Sequence, residues 1–321
     1  MIEEQIPQPD SIEVQAISPP PRIPLVERFG ISPVLFAFLS LIFIFILYQL
    51  IGGIITLLIF GMQPTSNNIF GYRLATGLGQ ILFILIPTLI LVRFVSFTPR
   101  EYFRLKLPTF QTVIVPLIGI FSLQQVLQIY LIFQEKIPLP ENIQSMLEKF
   151  KTMFEELYKQ LVATNSVPEL LWVILIIALI PAVAEEFMFR GLIQRSLEKG
   201  LNPVRGVILT GIIFGAYHLN PFSFIPLVII GIYLGFLTMR SGSIWVSVVT
   251  HFFNNLFACL ALYLNLKDDY IVVGNANDMS VGSLVITFWF FGVTFILTTY
   301  YFLRITKPVQ QINSNSSLYS N

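Results

Sequence analysis

Charge is what this sequence has least of. Asp, Glu, Lys and Arg make up 12% of its 321 residues, where a soluble domain carries about 25%. A chain so poor in charge cannot coat itself in water, so a soluble globular protein is excluded. The 18 acidic and 19 basic residues nearly cancel to +1, which leaves no basic footprint and excludes a nucleic-acid partner. One cysteine, Cys259, excludes an intramolecular disulfide framework and any cysteine-based zinc or iron–sulfur cluster. Histidine is nearly as rare, at two. What fills the chain instead is apolar: 55% hydrophobic residues, 30 Phe and a mean hydropathy of +0.76.

The apolar residues fall into eight stretches, at 33–60, 72–95, 110–133, 170–193, 204–219, 222–239, 244–264 and 281–303. A spanning helix needs roughly 20 apolar residues to cross about 30 Å of hydrocarbon with every backbone amide satisfied internally. The fold expected is therefore all-α, a polytopic membrane helix bundle of about eight transmembrane helices. The fifth stretch, bounded by Pro203 and Pro221, is short, and with the sixth it reads as two full spans or as one broken helical hairpin. The first starts too late and runs too long for a cleavable signal peptide, so it reads as a permanent anchor. Residues 141–162 place Ile143, Met146, Leu147, Phe150, Phe154, Leu157, Tyr158 and Leu161 at near-heptad spacing, the pattern of an amphipathic helix on the membrane surface.

Four regions follow. Residues 1–30 form an unstructured tail, and 31–168 hold the first three spans and the amphipathic helix. Residues 169–304 form the polar-marked core, and 305–321 a second unstructured tail. With the N-terminus cytoplasmic, the inner loops hold twelve Lys and Arg and the outer ones six. The positive-inside rule then puts both termini in the cytoplasm, in a plasma membrane or an organelle membrane.

An ionisable residue inside a span is costly and marks function by default. Most stretches read as clean, but the fourth carries Glu185-Glu186-Phe187-Met188-Phe189-Arg190. Glu186 and Arg190 are one turn apart and can neutralise each other, which leaves Glu185 as a free carboxylate suited to a general base. Both histidines fall in later stretches: His218 one turn after Phe214, and His251 one turn before Asn255. A Glu–Arg pair is an ordinary structural clamp, an isolated intramembrane His or Asn is an ordinary interhelical hydrogen bond, and Phe214 and Cys259 read as packing. A free Glu, two His and an Asn on three separate stretches supply a base, donors and an acceptor together.

The ordered motifs Glu-Glu-x-x-x-Arg, Phe-x-x-x-His and His-x-x-x-Asn resemble those of the CAAX protease and bacteriocin-processing (CPBP, or Abi) family of intramembrane endopeptidases. That family includes the eukaryotic type II CAAX prenyl endopeptidase. The resemblance covers roughly 170–264, and all three motifs are present without substitution. It implies an endopeptidase that hydrolyses a peptide bond of a membrane-associated protein or peptide substrate, of prenylated CAAX type in one branch. Glu185 would activate water with help from His218, His251 and Asn255 would stabilise the oxyanion, and Glu186 and Arg190 would hold the helix in register. We expect no cofactor. Zinc held by Glu185, His218 and His251 is the alternative, although the helical His-Glu-x-x-His signature of zinc proteases is absent. The rival function is a non-enzymatic membrane immunity or partner-binding protein on the same scaffold. A proton-relay transporter is disfavoured, because no inverted repeat is visible.

Overall fold

The structure, a computed structural model, describes residues 23–62, 64–65, 67–164, 166–264 and 280–306. Its main elements are nine helices: α1 (Pro33–Phe60), α2 (Ile69–Val95), α3 (Phe110–Glu135), α4 (Glu141–Val162), α5 (Val167–Gly200), α6 (Pro203–Tyr217), α7 (Phe224–Ser241), α8 (Ile244–Tyr263) and α9 (Val281–Ile305). The molecule is an all-α polytopic membrane bundle. Seven of the nine are long and apolar enough to span a bilayer; α6, at 15 residues, is not, and α4 is amphipathic.

Local sequence explains the boundaries. Ser32, Ser166, Asn202 and Ser280 each accept a hydrogen bond from the third amide of the helix that follows. This is the N-cap role of short oxygen-bearing side chains. In α1, α5 and α6 a proline occupies the first turn, where its missing N–H costs nothing. Inside α2 and α5, π-helical turns at Ile81–Leu85 and Ile174–Leu179 directly precede Pro87 and Pro181. A proline interrupts the regular hydrogen-bond ladder, and a widened turn absorbs the break. A further π-helical stretch, Phe187–Ile193, follows the two glutamates, and no proline accounts for it.

Some expected boundaries move. The fourth stretch continues seven residues beyond Ile193 to Gly200, because the polar side chains of its last turns are buried rather than solvated. Gln194 and Ser196 are fully buried and Glu198 nearly so. Residues 25–28, placed in the N-terminal tail by composition, form a helical turn that buries Val26 among Val92, Val95 and Tyr102. The remainder of both expected tails, 1–22 and 307–321, lies outside the described residues.

The short α6 packs against α7 with almost no side chain between them. A Cβ on Gly211 would stand 2.8 Å from the Ile232 amide nitrogen, and one on Gly231 3.0 Å from the Gly211 Cα. The fifth and sixth stretches are thus a tight helical hairpin. At its bend Leu219 is held at φ 52°, a left-handed conformation costly for a branched-chain residue. The Asn220 carboxamide accepts from the amides of Phe222 and Ser223 and so over-determines the turn.

The connection between α2 and α3 is also built in. Burial pushes the Tyr102 hydroxyl up to about 12, although it shares a 2.8 Å hydrogen bond with Ser196. On the opposite face Arg73 of α2 is 2% exposed and ties down the end of α4. It donates to the carbonyls of Leu161, Gln160 and Ala163 and pairs with Glu169 at 2.7 Å. The second stretch is therefore not clean. Its buried cation is satisfied by the carbonyls that every helix C-terminus leaves over.

Candidate active site

Glu185 and Glu186 are neighbours on α5, so their side chains diverge by about 100°. Glu186 turns into protein and is fully buried, as is Arg190 one turn on. Arg190 Nη1 donates to Glu186 Oε1 at 2.6 Å and Nη2 to the Gly231 carbonyl at 2.8 Å. The Arg190 guanidinium also lies over the Phe214 ring, 4.7 Å from its centroid. The pair expected from spacing is present, but it is not closed on itself: His251 Nδ1 lies 2.8 Å from the same Glu186 oxygen. A carboxylate can only accept, so Nδ1 carries the proton and Nε2 is left facing the cavity side. Glu186 thus orients a second helix as well as stabilising its own.

Glu185 turns the other way, into a cavity of about 210 Å³ that it lines with Phe214, His218, His251 and Asn255. Its Oε2 is buried and has no hydrogen-bond partner among the described residues. Across from it, His218 Nε2 stands 3.8 Å away. His218 is the residue on which α6 ends, and its Nδ1 makes a 2.7 Å hydrogen bond to the Phe214 carbonyl. That carbonyl can only accept, so Nδ1 is the protonated nitrogen and Nε2 presents a lone pair to Glu185. Two acceptors at this distance are too far apart for a direct bond and well spaced to share one water molecule.

The Phe214 ring is a packing residue, as expected, and its place makes it a wall of the site. It contacts both histidine rings, with centroids 4.6 Å from His218 and 5.9 Å from His251. Asn255 lies one turn beyond His251 on α8 and lines the same cavity. Its carbonyl oxygen accepts from the Asn254 amide at 3.3 Å, so the Asn255 NH₂ keeps its two donors for another partner. All seven residues singled out from sequence are therefore gathered in one place. Five line the cavity, and Glu186 and Arg190 lie immediately behind it.

The cavity has walls that the motifs do not reveal. Besides α5, α6 and α8, it is lined by Gln80 of α2, Tyr158 of α4, and Leu227 and Ile230 of α7. Gln80 is 7% exposed. A carboxamide in the middle of an apolar stretch was a legible signal. Tyr158 was legible only as part of an amphipathic stripe. Cys259 is buried with Val162, Val173 and Ala178 and plays a packing role.

The zinc alternative requires Glu185, His218 and His251 to converge on one ion. Among the described residues no group of three His, Cys, Asp or Glu side chains is arranged to hold a metal.

No curated protein and no solved structure matches the chain. A family model does, described as type II CAAX prenyl endopeptidase Rce1-like, over residues 167–257. That segment runs from the first residue of α5 to two residues past Asn255, so it contains every residue of the cavity-lining motifs. Over those residues the chain is similar to the Rce1-like type II CAAX prenyl endopeptidases.

Proposed function

We propose that this protein is an intramembrane endopeptidase in which Glu185 activates water against a peptide carbonyl held in the cavity. The family is one of CAAX-type proteases, and the substrate class we assign is the C-terminal region of a membrane-associated protein. The observation that carries the reading is the unpartnered Glu185 Oε2, aimed into the cavity opposite the lone pair of His218.

In this mechanism a water donates to both acceptors and attacks the carbonyl carbon as Glu185 takes its proton. The carbonyl oxygen becomes an oxyanion that receives hydrogen bonds from the Asn255 NH₂ and from His251 Nε2–H when that ring is protonated. Collapse of the intermediate breaks the C–N bond, and the proton held at Glu185 passes to the leaving amine. Glu186 fixes the His251 tautomer, His218 holds the water through its Nε2 lone pair, and no covalent intermediate forms. We infer further that the excess of Lys and Arg on the face shared by the described chain ends puts that face in the cytoplasm.

The test compares membrane-protein termini in cells expressing wild type or Glu185→Gln at equal levels. New termini that need Glu185 support the reading and name the substrate. Equal termini with correct insertion overturn it in favour of a binding or immunity role. Activity that is lost with one equivalent of zinc on chelation would overturn the metal-free mechanism.

A further inference from the structure

A second cavity, separate from the first, lies where the α2–α3 and α7–α8 connections meet. It measures about 550 Å³ and is lined by Arg100, Glu101, Arg104, Lys106, Arg195 and Ser241, among others. Its frame is rigid. Arg104 sits in the left-handed region at φ 57°, its carbonyl accepts from the Ile244 amide at 3.0 Å, and the Lys106 carbonyl accepts from Ser243 Oγ at 2.6 Å.

The charges in it do not balance. Arg104 spends its guanidinium on Glu198, with contacts of 3.2 and 2.6 Å, and Arg195 reaches the same carboxylate at 3.2 Å. One buried carboxylate thus serves two guanidiniums, and the Arg195 Nε is buried with no hydrogen-bond partner among the described residues. Among the described residues Arg100 and Lys106 have no ion-pair partner, and both are exposed. Glu101 offsets only part of the surplus.

The surroundings choose the ligand. The same connection exposes Phe97, Leu107 and Phe110, at 57%, 80% and 79%, next to a preformed cationic hollow at the ends of membrane helices. Apolar side chains on this connection suit acyl chains, and the cationic hollow suits an anionic group. A soluble anion would make no use of them.

We propose that this cavity binds the phosphate headgroup of an anionic phospholipid, with Arg100, Lys106 and the free edge of Arg195 as donors. The site is independent of proteolysis, so it stands or falls apart from the function proposed above.

The test measures retention of phosphatidylglycerol against phosphatidylcholine of identical acyl chains, by native mass spectrometry of the purified full chain. Inorganic phosphate serves as competitor. Wild type should prefer phosphatidylglycerol. Each cation near a membrane surface contributes about fivefold to anionic-lipid affinity, so Arg100→Gln/Lys106→Gln should weaken binding by about 30-fold. Neither side chain supports the fold. Arg28→Gln/Arg93→Gln removes two exposed cations from the same face but outside the cavity, and should leave the preference unchanged. Equal losses in the two double variants would reduce the effect to diffuse surface charge and overturn the site. Equal retention of both lipids by wild type would overturn it outright. Saturable binding of inorganic phosphate that displaces phosphatidylglycerol would overturn the lipid as its occupant.

Discussion

Removing Arg190 should be among the most damaging single changes in this protein, and removing its partner with it should repair most of the loss. Arg190 and Glu186 are fully buried and 2.6 Å apart. Breaking a buried ion pair by deleting one member leaves an uncompensated charge and costs about 3–5 kcal/mol, whereas replacing both with neutral groups is often close to neutral. Arg190→Gln also forfeits the bond to the Gly231 carbonyl, so its loss should sit at the upper end of that range. Glu186→Gln keeps an oxygen for His251 and should sit at the lower end. Summed independently, the two singles predict about 6–10 kcal/mol, yet the double variant Glu186→Gln/Arg190→Gln should lose less than either single one. The assay is unfolding in detergent with the two single variants and the double variant measured side by side. Strictly additive losses would show that the two side chains do not act as a pair, and would refute the argument.

Three further outcomes follow from the packing and the site. Gly211→Ala presses a methyl onto the Ile232 backbone at 2.8 Å, where nothing can rotate away, and should destabilise by about 1–3 kcal/mol; an unchanged unfolding midpoint would contradict the tight hairpin. Arg73→Gln removes a cation that ties three carbonyls of α4 and its exit to Glu169. Hydrogen exchange along 141–162 should then rise markedly while the membrane core stays protected. Asn255→Ala, once a substrate is in hand, should cut kcat by about 100- to 1000-fold with little change in KM, and an effect on KM alone would make Asn255 a binding residue instead.

The polarity of the site was legible because it rests on rarity. Two histidines in 321 residues, both in apolar stretches, and a Glu-Glu pair where charge is expensive stand out against a uniform background. Helical geometry then supplies the local contacts, since positions four apart meet on any helix; Glu186–Arg190 and Phe214–His218 are of this kind. Gln80 was equally visible as a polar residue in an apolar stretch, and reading that stretch as clean hid it, whereas Arg73, at the edge of the stretch, was counted with the outer-loop cations.

What the amino-acid order determined by itself is therefore the class of the molecule, the place of most of its helices, and the helix that carries the paired glutamates. These follow from composition and from periodicity, which act over a few turns of chain. The tertiary structure alone decided that His251 meets Glu186 across 65 residues, Arg104 meets Glu198 across 94, and Arg73 meets Glu169 across 96. It also decided that Glu185, the carboxylate left free by the spacing, lines a cavity with both histidines. Those contacts depend on the rotation and register of one helix against another, set by the summed packing of whole faces and by the Gly211–Gly231 approach. No short window of sequence contains that sum.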